Sequence, residues 1–288
     1  MNTHGDRILL FCPTFEINGV EQIRPETREC IQAIADKRPD VDVVISKNNP
    51  YPAGEYANVL HQYRAAEKLV HERGYRALFC VEHDMWIPED ALDRLDEVDA
   101  PVVYGLYMLR HHKPVVSAFR SVKAVFPDMP LSYYPEELRR AYKQDVIQVS
   151  GAGFGCTLIR REALEMAPFR EADSGNPIPD MPFAQDCMRL GLLQMCRMDV
   201  RCGHYHKGAW LWPDPEEEYQ DMVKVLILQD FNASDGRSLR SGETVSMGEG
   251  MVGDYERAGF VRRISEPAVK VIQKPPKKRK AVKADQDD

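Results

Sequence analysis

The chain has 288 residues, of which 43% are hydrophobic and 29% charged, with a formal net charge of −7. That length holds one large domain and a small addition, the acidic balance argues against a broadly basic nucleic-acid surface, and no apolar run approaches a membrane span. Seven cysteines, an odd number without framework spacing, point to reduced thiols in a cytoplasm; the polar start MNTHGDR gives no expectation of a secretory leader.

Residues 7–11 (RILLF) predict a first strand, which ends in Cys12-Pro13-Thr14-Phe15-Glu16. A helix over about 24–37 follows, then a strand of β-branched residues at 41–46. Residues 56–73 carry Val59, Tyr63, Ala66 and Val70 at helical spacing. The run 77–81 (ALFCV) has the length and continuous apolarity of a strand buried on both faces, as a helix-covered parallel sheet demands. Alternating strands and helices imply a parallel or mostly parallel sheet. Glu82 and Asp84 fall at the carboxyl end of the 77–81 strand, where open α/β sheets bind ligands, so a Glu-x-Asp pair is placed there for a hard cation and phosphate. The blander use of the same acids is a solvated turn capping a helix. Pro88 at a first helical position, acidic Glu89 and Asp90, and then Leu92 and Leu95 predict that a helix begins at once.

Strand, Glu-x-Asp and then WIPEDAL (86–92) resemble the Asp-x-Asp region of GT-A fold glycosyltransferases, particularly family 2-like enzymes of phage or bacterial type. Three later segments fall in the matching order. VVYGLY (102–107) resembles the strand that follows the motif, VSGAGFGCTLIRRE (149–162) is similar to the glycine-rich loop with its strand and helix, and FAQDCMRLG (183–191) resembles the late Glu-Asp helix with Gln185 where Glu is usual. The likeness covers residues 7–210. It implies an α/β, GT-A-like, Rossmann-related fold: a mostly parallel sheet flanked by helices, forming a catalytic domain over 1–215.

The function implied by the resemblance is metal-dependent transfer of a sugar, with inversion, from a nucleotide-sugar donor such as a UDP- or GDP-sugar to an acceptor hydroxyl. A sugar leaves a diphosphate only when the developing negative charge is neutralised, which a divalent ion does as Lewis acid and template. Mn²⁺ or Mg²⁺ suits one or two carboxylates plus phosphate oxygens. Asp84 is then the leading metal ligand. Glu82, longer than the usual Asp, is expected at the donor, reaching ribose, water or metal. Asp186 is the matched candidate for the base that deprotonates the acceptor. Pro13, Thr14 and Glu16 occupy the place where the family holds the nucleoside; Asn58 lies where related enzymes carry an Arg-Asn pair, with Ala57 replacing the Arg. Gly153 belongs to the loop that passes near the donor. A histidine often completes the metal shell in the region of CGHYH (202–206), and alternation puts His204 and His206 on the same side of an extended segment, so both remain candidates.

Other motifs carry less. Gly151, Gly153 and Gly155 lack the spacing and the following helix of a dinucleotide fingerprint. A zinc site built from Cys196, Cys202 and the histidines is disfavoured by loose spacing without a Cys-x-x-Cys pair. Arg110-His111-His112-Lys113 forms a basic cluster that suits a phosphate-bearing donor, an anionic acceptor or solvent, and Trp210 and Trp212 suit either a cover over the donor or core anchors.

Beyond the acidic joint PDPEEE, a Val-rich strand, a turn and two shorter strands predict a small β-rich C-terminal appendage over 216–265, faintly similar to those of some phage proteins. Residues 266–288, with KKRK at 277–280, predict a disordered tail that suits a polyanion or solvent. The acceptor stays open between a glycan, a protein and a modified DNA base. Two other functions use the same features: a nucleotidyltransferase, which also needs an α/β sheet, carboxylates and Mg²⁺, and a non-catalytic nucleotide-sugar or nucleic-acid binding module, which Gln185 keeps open.

Overall fold

The computed structural model describes residues 4–52, 54–110, 115–121, 131–133, 138, 140–213, 222–232, 238–248, 252, 255–256 and 258–264. Strand β1 (Ile8–Pro13), helix α1 (Pro25–Lys37), β2 (Val41–Ser46), α2 (Ala57–Arg73) and β3 (Ala77–Val81) form the first alternating run. A short β4 (Met85–Trp86), α3 (Ala91–Asp96), β5 (Val102–Leu106) and β6 (Val146–Gln148) follow. Next come β7 (Cys156–Arg160), α4 (Arg161–Met166), α5 (Asp180–Arg189), β8 (Gln194–Arg201) and the hairpin of β9 (Gly203–His206) and β10 (Ala209–Leu211).

Seven of these strands make one sheet in the order β6-β8-β5-β7-β3-β1-β2. β6 and β7 run against the other five. The sheet is therefore mixed and largely parallel, flanked by helices, which is the expected α/β class and is consistent with a GT-A-like fold.

Period-2 alternation sorts the strand side chains into two cores. Leu9, Phe11, Leu78, Cys80 and Tyr104 share one cluster with Tyr63, Ala66 and Val70 of α2, Ala163 and Leu164 of α4, and Phe183 of α5. Ile8, Leu10, Phe79, Val81 and Val103 face the other way onto Ile31 and Ile34 of α1 and Leu92 and Leu95 of α3. The five residues of β3 are each 0% exposed. Burying Leu78 and Phe79 stabilises by about 1.5–3 kcal/mol each, so the acids that follow are carried on a rigid strand end.

Helix boundaries have local causes. Pro25 opens α1 at a position that needs no N–H. α2 stops at Gly74, whose φ of 74° is the left-handed cap that side chains resist, and the Gly74 and Tyr75 amides both donate to the Val70 carbonyl. Two expectations change. The helix expected from Pro88 begins at Ala91, because the Pro88 carbonyl closes a turn onto the Ala91 amide at 3.0 Å. Between Asp84 and that turn the chain forms β4, whose pairing partner is the distant β9. The late helix also starts three residues before the likeness put it, at Asp180.

Beyond the joint, β11 (Met222–Ile227) pairs antiparallel with β12 (Thr244–Gly248) and β13 (Val261–Arg263). Val225, Ile227, Leu239, Met247, Val252 and Val261 form a buried cluster of their own. The joint at 214–221, the tail from 266 and His111–Lys113 of the basic cluster lie outside the described residues. All seven cysteines are free and buried. Among the described residues, no helix is long and apolar enough to cross a membrane.

Candidate metal centre

Glu82 and Asp84 leave the end of β3 in a tight turn, with the Met85 amide donating to the Glu82 carbonyl at 3.3 Å. The turn is fixed from outside: the Asp84 carbonyl accepts the Tyr205 amide at 2.9 Å, and His204 lies opposite Met85 in the β4–β9 pairing. This long-range pairing carries an imidazole to the acids. Glu82, Asp84 and His204 each present a ligand atom within 4.8 Å of the others. Opposed ligands of one ion stand about 4.2 Å apart when metal–oxygen bonds are about 2.1 Å, so the grouping is of the size for a divalent ion.

The donor chemistry fits as well. The ring nitrogen Nδ1 of His204 lies 2.6 Å from the Met108 carbonyl, so Nδ1 carries the proton and Nε2 turns a lone pair to the acids. Burial holds the His204 pKa below its ordinary value, against the pull of Asp84, which keeps the ring neutral as a ligand must be. Asp84 is 5% exposed, and its Oδ1 is buried without a hydrogen-bond partner. A cation already stands by: the Arg110 guanidinium pairs with Asp84 Oδ2 and donates to His204 Nε2 at 2.7 Å.

Among the described residues the acids outnumber their counter-charges. Burial, the Asp84 carboxylate and the Asp180 carboxylate together push Glu82 up to about 8, with Arg110 opposing. Asp180, the first residue of α5, is pushed up to about 6 by burial, although the Met181 amide donates to its Oδ1 at 2.7 Å. The glycine run gives Asp180 and Tyr107 their room. A Cβ on Gly153 would collide with the Tyr107 hydroxyl and come within 3.4 Å of Asp180 Oδ2, and one on Gly155 would meet the Tyr107 ring at 2.8 Å. Gly153 thus makes space for an acid and a tyrosine at this end of the sheet.

Asp186 lies elsewhere in the interaction network. Its two oxygens accept from Arg170 Nε at 2.6 Å and Arg170 Nη2 at 3.0 Å, and Arg189 adds a third bond at 2.8 Å. The carboxylate is a strut between α5 and the chain before it, while Asp180, six residues earlier on the same helix, is the acid felt by Glu82. His206 sits at the far end of β9 opposite Ala209, and among the described residues the metal grouping holds His204 without it.

At the neighbouring strand ends, Pro13 closes β1 and the Thr14 carbonyl accepts from Gln62 Nε2 at 2.9 Å and Asn49 Nδ2 at 3.0 Å. Gln62 also donates to Asn49 Oδ1 at 2.7 Å, so a residue of α2 ties the ends of β1 and β2 together. Glu16 pairs with Lys47 at 2.9 Å on the exposed side. Asn58 spends its amide on the backbone of Tyr51 and Pro52. The three tryptophans of the chain meet beside the acids: Trp86 lies 5.5 Å from Trp210 and 5.7 Å from Trp212, and Trp212 covers Gly203 so closely that a Cβ there would lie 2.8 Å from the indole.

Gln62, Tyr107 and Asp180 were not singled out by sequence. Asp180 follows a proline at a helix start, a commonplace use of an acid, and the room beside its carboxylate is left by Gly153, 27 residues upstream.

No protein-family model matches the chain, and no curated protein matches it in sequence. Among solved structures it is similar to A197 from STIV, with 17% identity over 84% of this chain and 97% of that one and a TM-score of 0.46. It is also similar to a glycosyltransferase involved in the glycosylation of the major capsid of PBCV-1, with 10% identity over 55% of this chain and 62% of that one and a TM-score of 0.32.

Proposed function

We propose that this chain is a metal-dependent glycosyltransferase that takes a sugar from a nucleotide-sugar donor and passes it to an acceptor hydroxyl. The observation that carries this reading is the convergence of Glu82, Asp84 and His204 at the carboxyl ends of the strands, where an α/β sheet binds its ligand. Those three would hold Mn²⁺ or Mg²⁺. When bound, the ion neutralises the diphosphate leaving group. Thr14 and the Asn49–Gln62 pair build the neighbouring strand ends into a rigid wall for the nucleoside. Tyr107 and the glycine run shape the floor.

We assign the base to Asp180. Its carboxyl, raised to about 6 by burial, is basic enough to take a proton from a hydroxyl and acidic enough to be ionised at neutral pH. Asp186 is assigned a positioning role, holding α5 against Arg170. The acceptor class stays with hydroxyl-bearing molecules, whether glycan, protein or modified base.

The test is a panel of nucleotide sugars incubated with the full chain and Mn²⁺, with the nucleotide products separated by chromatography. Release of nucleoside diphosphate from one donor, lost by about a thousandfold in Asp84→Asn with the fold intact, is the expected result; several kcal/mol of charge stabilisation corresponds to that factor. Pyrophosphate release in place of nucleoside diphosphate would move the chain to nucleotidyl transfer. Full activity in Asp84→Asn would remove the metal assignment.

A further inference from the structure

The place a divalent ion would take is held by a side chain of the protein itself. Arg110 follows the two-residue strand Met108–Leu109, and its guanidinium uses both the Asp84 Oδ2 oxygen and the His204 Nε2 nitrogen as acceptors. His204 has one lone pair to give once Nδ1 has donated to Met108. One lone pair cannot serve an N–H and a metal together. Coordination through His204 therefore requires that Arg110 let go.

The arginine is free to do so. Its side chain is 39% exposed, whereas the Asp84 and His204 side chains are 7% and 6% exposed, so the cation enters from the solvent side and the acceptors lie beneath it. With an ion in the cluster, a guanidinium left in place would meet like charge at short range. Once displaced, it stays tethered by its own backbone at the mouth of the site. There its planar fork of donors suits the oxygens of a phosphate group.

We propose that Arg110 is a resident counter-ion, exchanged for the divalent metal, and that the released guanidinium then clasps the diphosphate of the ligand, so that metal and anion bind cooperatively. This rests on the metal-site reading above. In the apo protein Arg110 keeps Asp84 from being a buried uncompensated charge; in the loaded protein the metal takes that task and Arg110 gains another. By linkage, each ligand then strengthens the other.

The experiment measures Mn²⁺ affinity by the loss of the free-ion resonance signal, without nucleotide, for the full chain and for Arg110→Met and Arg110→Lys. Inorganic pyrophosphate is then titrated into each Mn²⁺-saturated protein. Arg110→Met should bind Mn²⁺ roughly 10- to 100-fold more tightly, since the competing charge-assisted bonds are gone, and pyrophosphate more weakly by at least about tenfold. Arg110→Lys should fall between, because a point charge cannot hold both acceptors; it carries the comparison if the Met variant fails to fold. Equal or weaker Mn²⁺ binding by the folded variants overturns the exchange while leaving the metal site standing. No Mn²⁺ binding by any of the three, at millimolar metal, removes the metal site and the exchange with it.

Discussion

The two ends of the seven-stranded sheet use the same residue types to opposite effect. Where the parallel strands begin, Arg38, Arg76 and Arg160 converge on Asp96, with Asp40 and Asp93 completing the set: Arg76 spans Asp96 at 2.6 and 2.8 Å, and Arg38 reaches Asp40 at 2.7 Å and Asp93 at 2.6 Å. Three guanidiniums meet three carboxylates. Where those strands finish, Asp84 pairs with Arg110 beside two imidazoles that burial holds below their ordinary value, His83 and His204, and Glu82 feels both Asp84 and Asp180 with Arg110 opposing. A matched network is a structural clamp, and an unmatched one is unfinished without a ligand.

The protonation of the two ends follows the same division. Burial pushes Asp96 up, but hydrogen bonds from Arg76, Arg160 and Arg38 outweigh it and hold the carboxyl far below its ordinary value. The arginine-bonded Asp40 is likewise lowered, chiefly by Arg38. Glu82 and Asp180 move the other way. In the reading proposed above, surplus acid marks a site and arginine-matched acid a strut, which assigns Asp180 to the first and Asp186, bonded by Arg170 and Arg189, to the second.

The sharpest way to break this division is to compare those two residues of α5. Asp180→Asn should lower turnover by about a hundredfold to ten-thousandfold while leaving donor affinity within a factor of a few, because a base acts in the chemical step. Asp186→Asn should retain most turnover and lose stability, since Arg170 is left without its bidentate partner. Steady-state kinetics and thermal melts on both variants decide it. A reversal, with Asp186→Asn inactive and Asp180→Asn active, would return the base to the helix position that the family likeness singled out.

That reversal would also show how far sequence reaches. β1, β2 and β3 are legible because each is an apolar or β-branched run, and composition reports burial directly. The direction of β7 is not, because Cys156–Arg160 has the same composition whichever way it runs between β3 and β5. Asp84 is conspicuous at a strand end. Beyond Glu82, its companions are not: His204 and His206 are equivalent by alternation until the Met108 carbonyl fixes one ring, and Asp180 acquires its character from Gly153 and burial. β4 was hidden for a similar reason. Two residues have no propensity worth reading, and their partner strand β9 lies more than a hundred residues downstream.

The acid end can be tested through pH. A glutamate whose folded value is raised from 4.5 to about 8 binds a proton in the folded state that the unfolded chain has given up. Its contribution to stability is present in full below about 4.5 and is lost as pH rises through about 8, an effect of the order of a few kcal/mol. Without metal, Glu82→Gln and the parent chain should melt together at pH 5, and the parent should fall behind by pH 8. Mn²⁺ should restore the parent at pH 8 and do little for the variant, which has lost a ligand oxygen's charge. Parallel melting curves across that window would mean that Glu82 is solvated like any surface acid.

The paired end should show the smaller effect and the opposite sign. Asp96 is 17% exposed in its side chain and accepts from three arginines, so Asp96→Asn leaves three guanidiniums facing one another with a neutral amide between them. Breaking a buried pair costs about 3–5 kcal/mol and an exposed one under about 1; partial burial places this loss at about 1–3 kcal/mol. Because Asp96 is held below its ordinary 3.8, its stabilisation is complete above that value and is lost as pH falls through the folded value. The variant should therefore sit below the parent at neutral pH and converge with it in strong acid, where the parent's carboxyl is also neutral. Mn²⁺ affinity should not change, since the clamp and the acid cluster lie at opposite ends of the strands. Urea titrations at pH 7 and in strong acid, with Mn²⁺ binding measured at pH 7, separate the cases: a variant that loses metal affinity together with stability would show that the two ends act as one network.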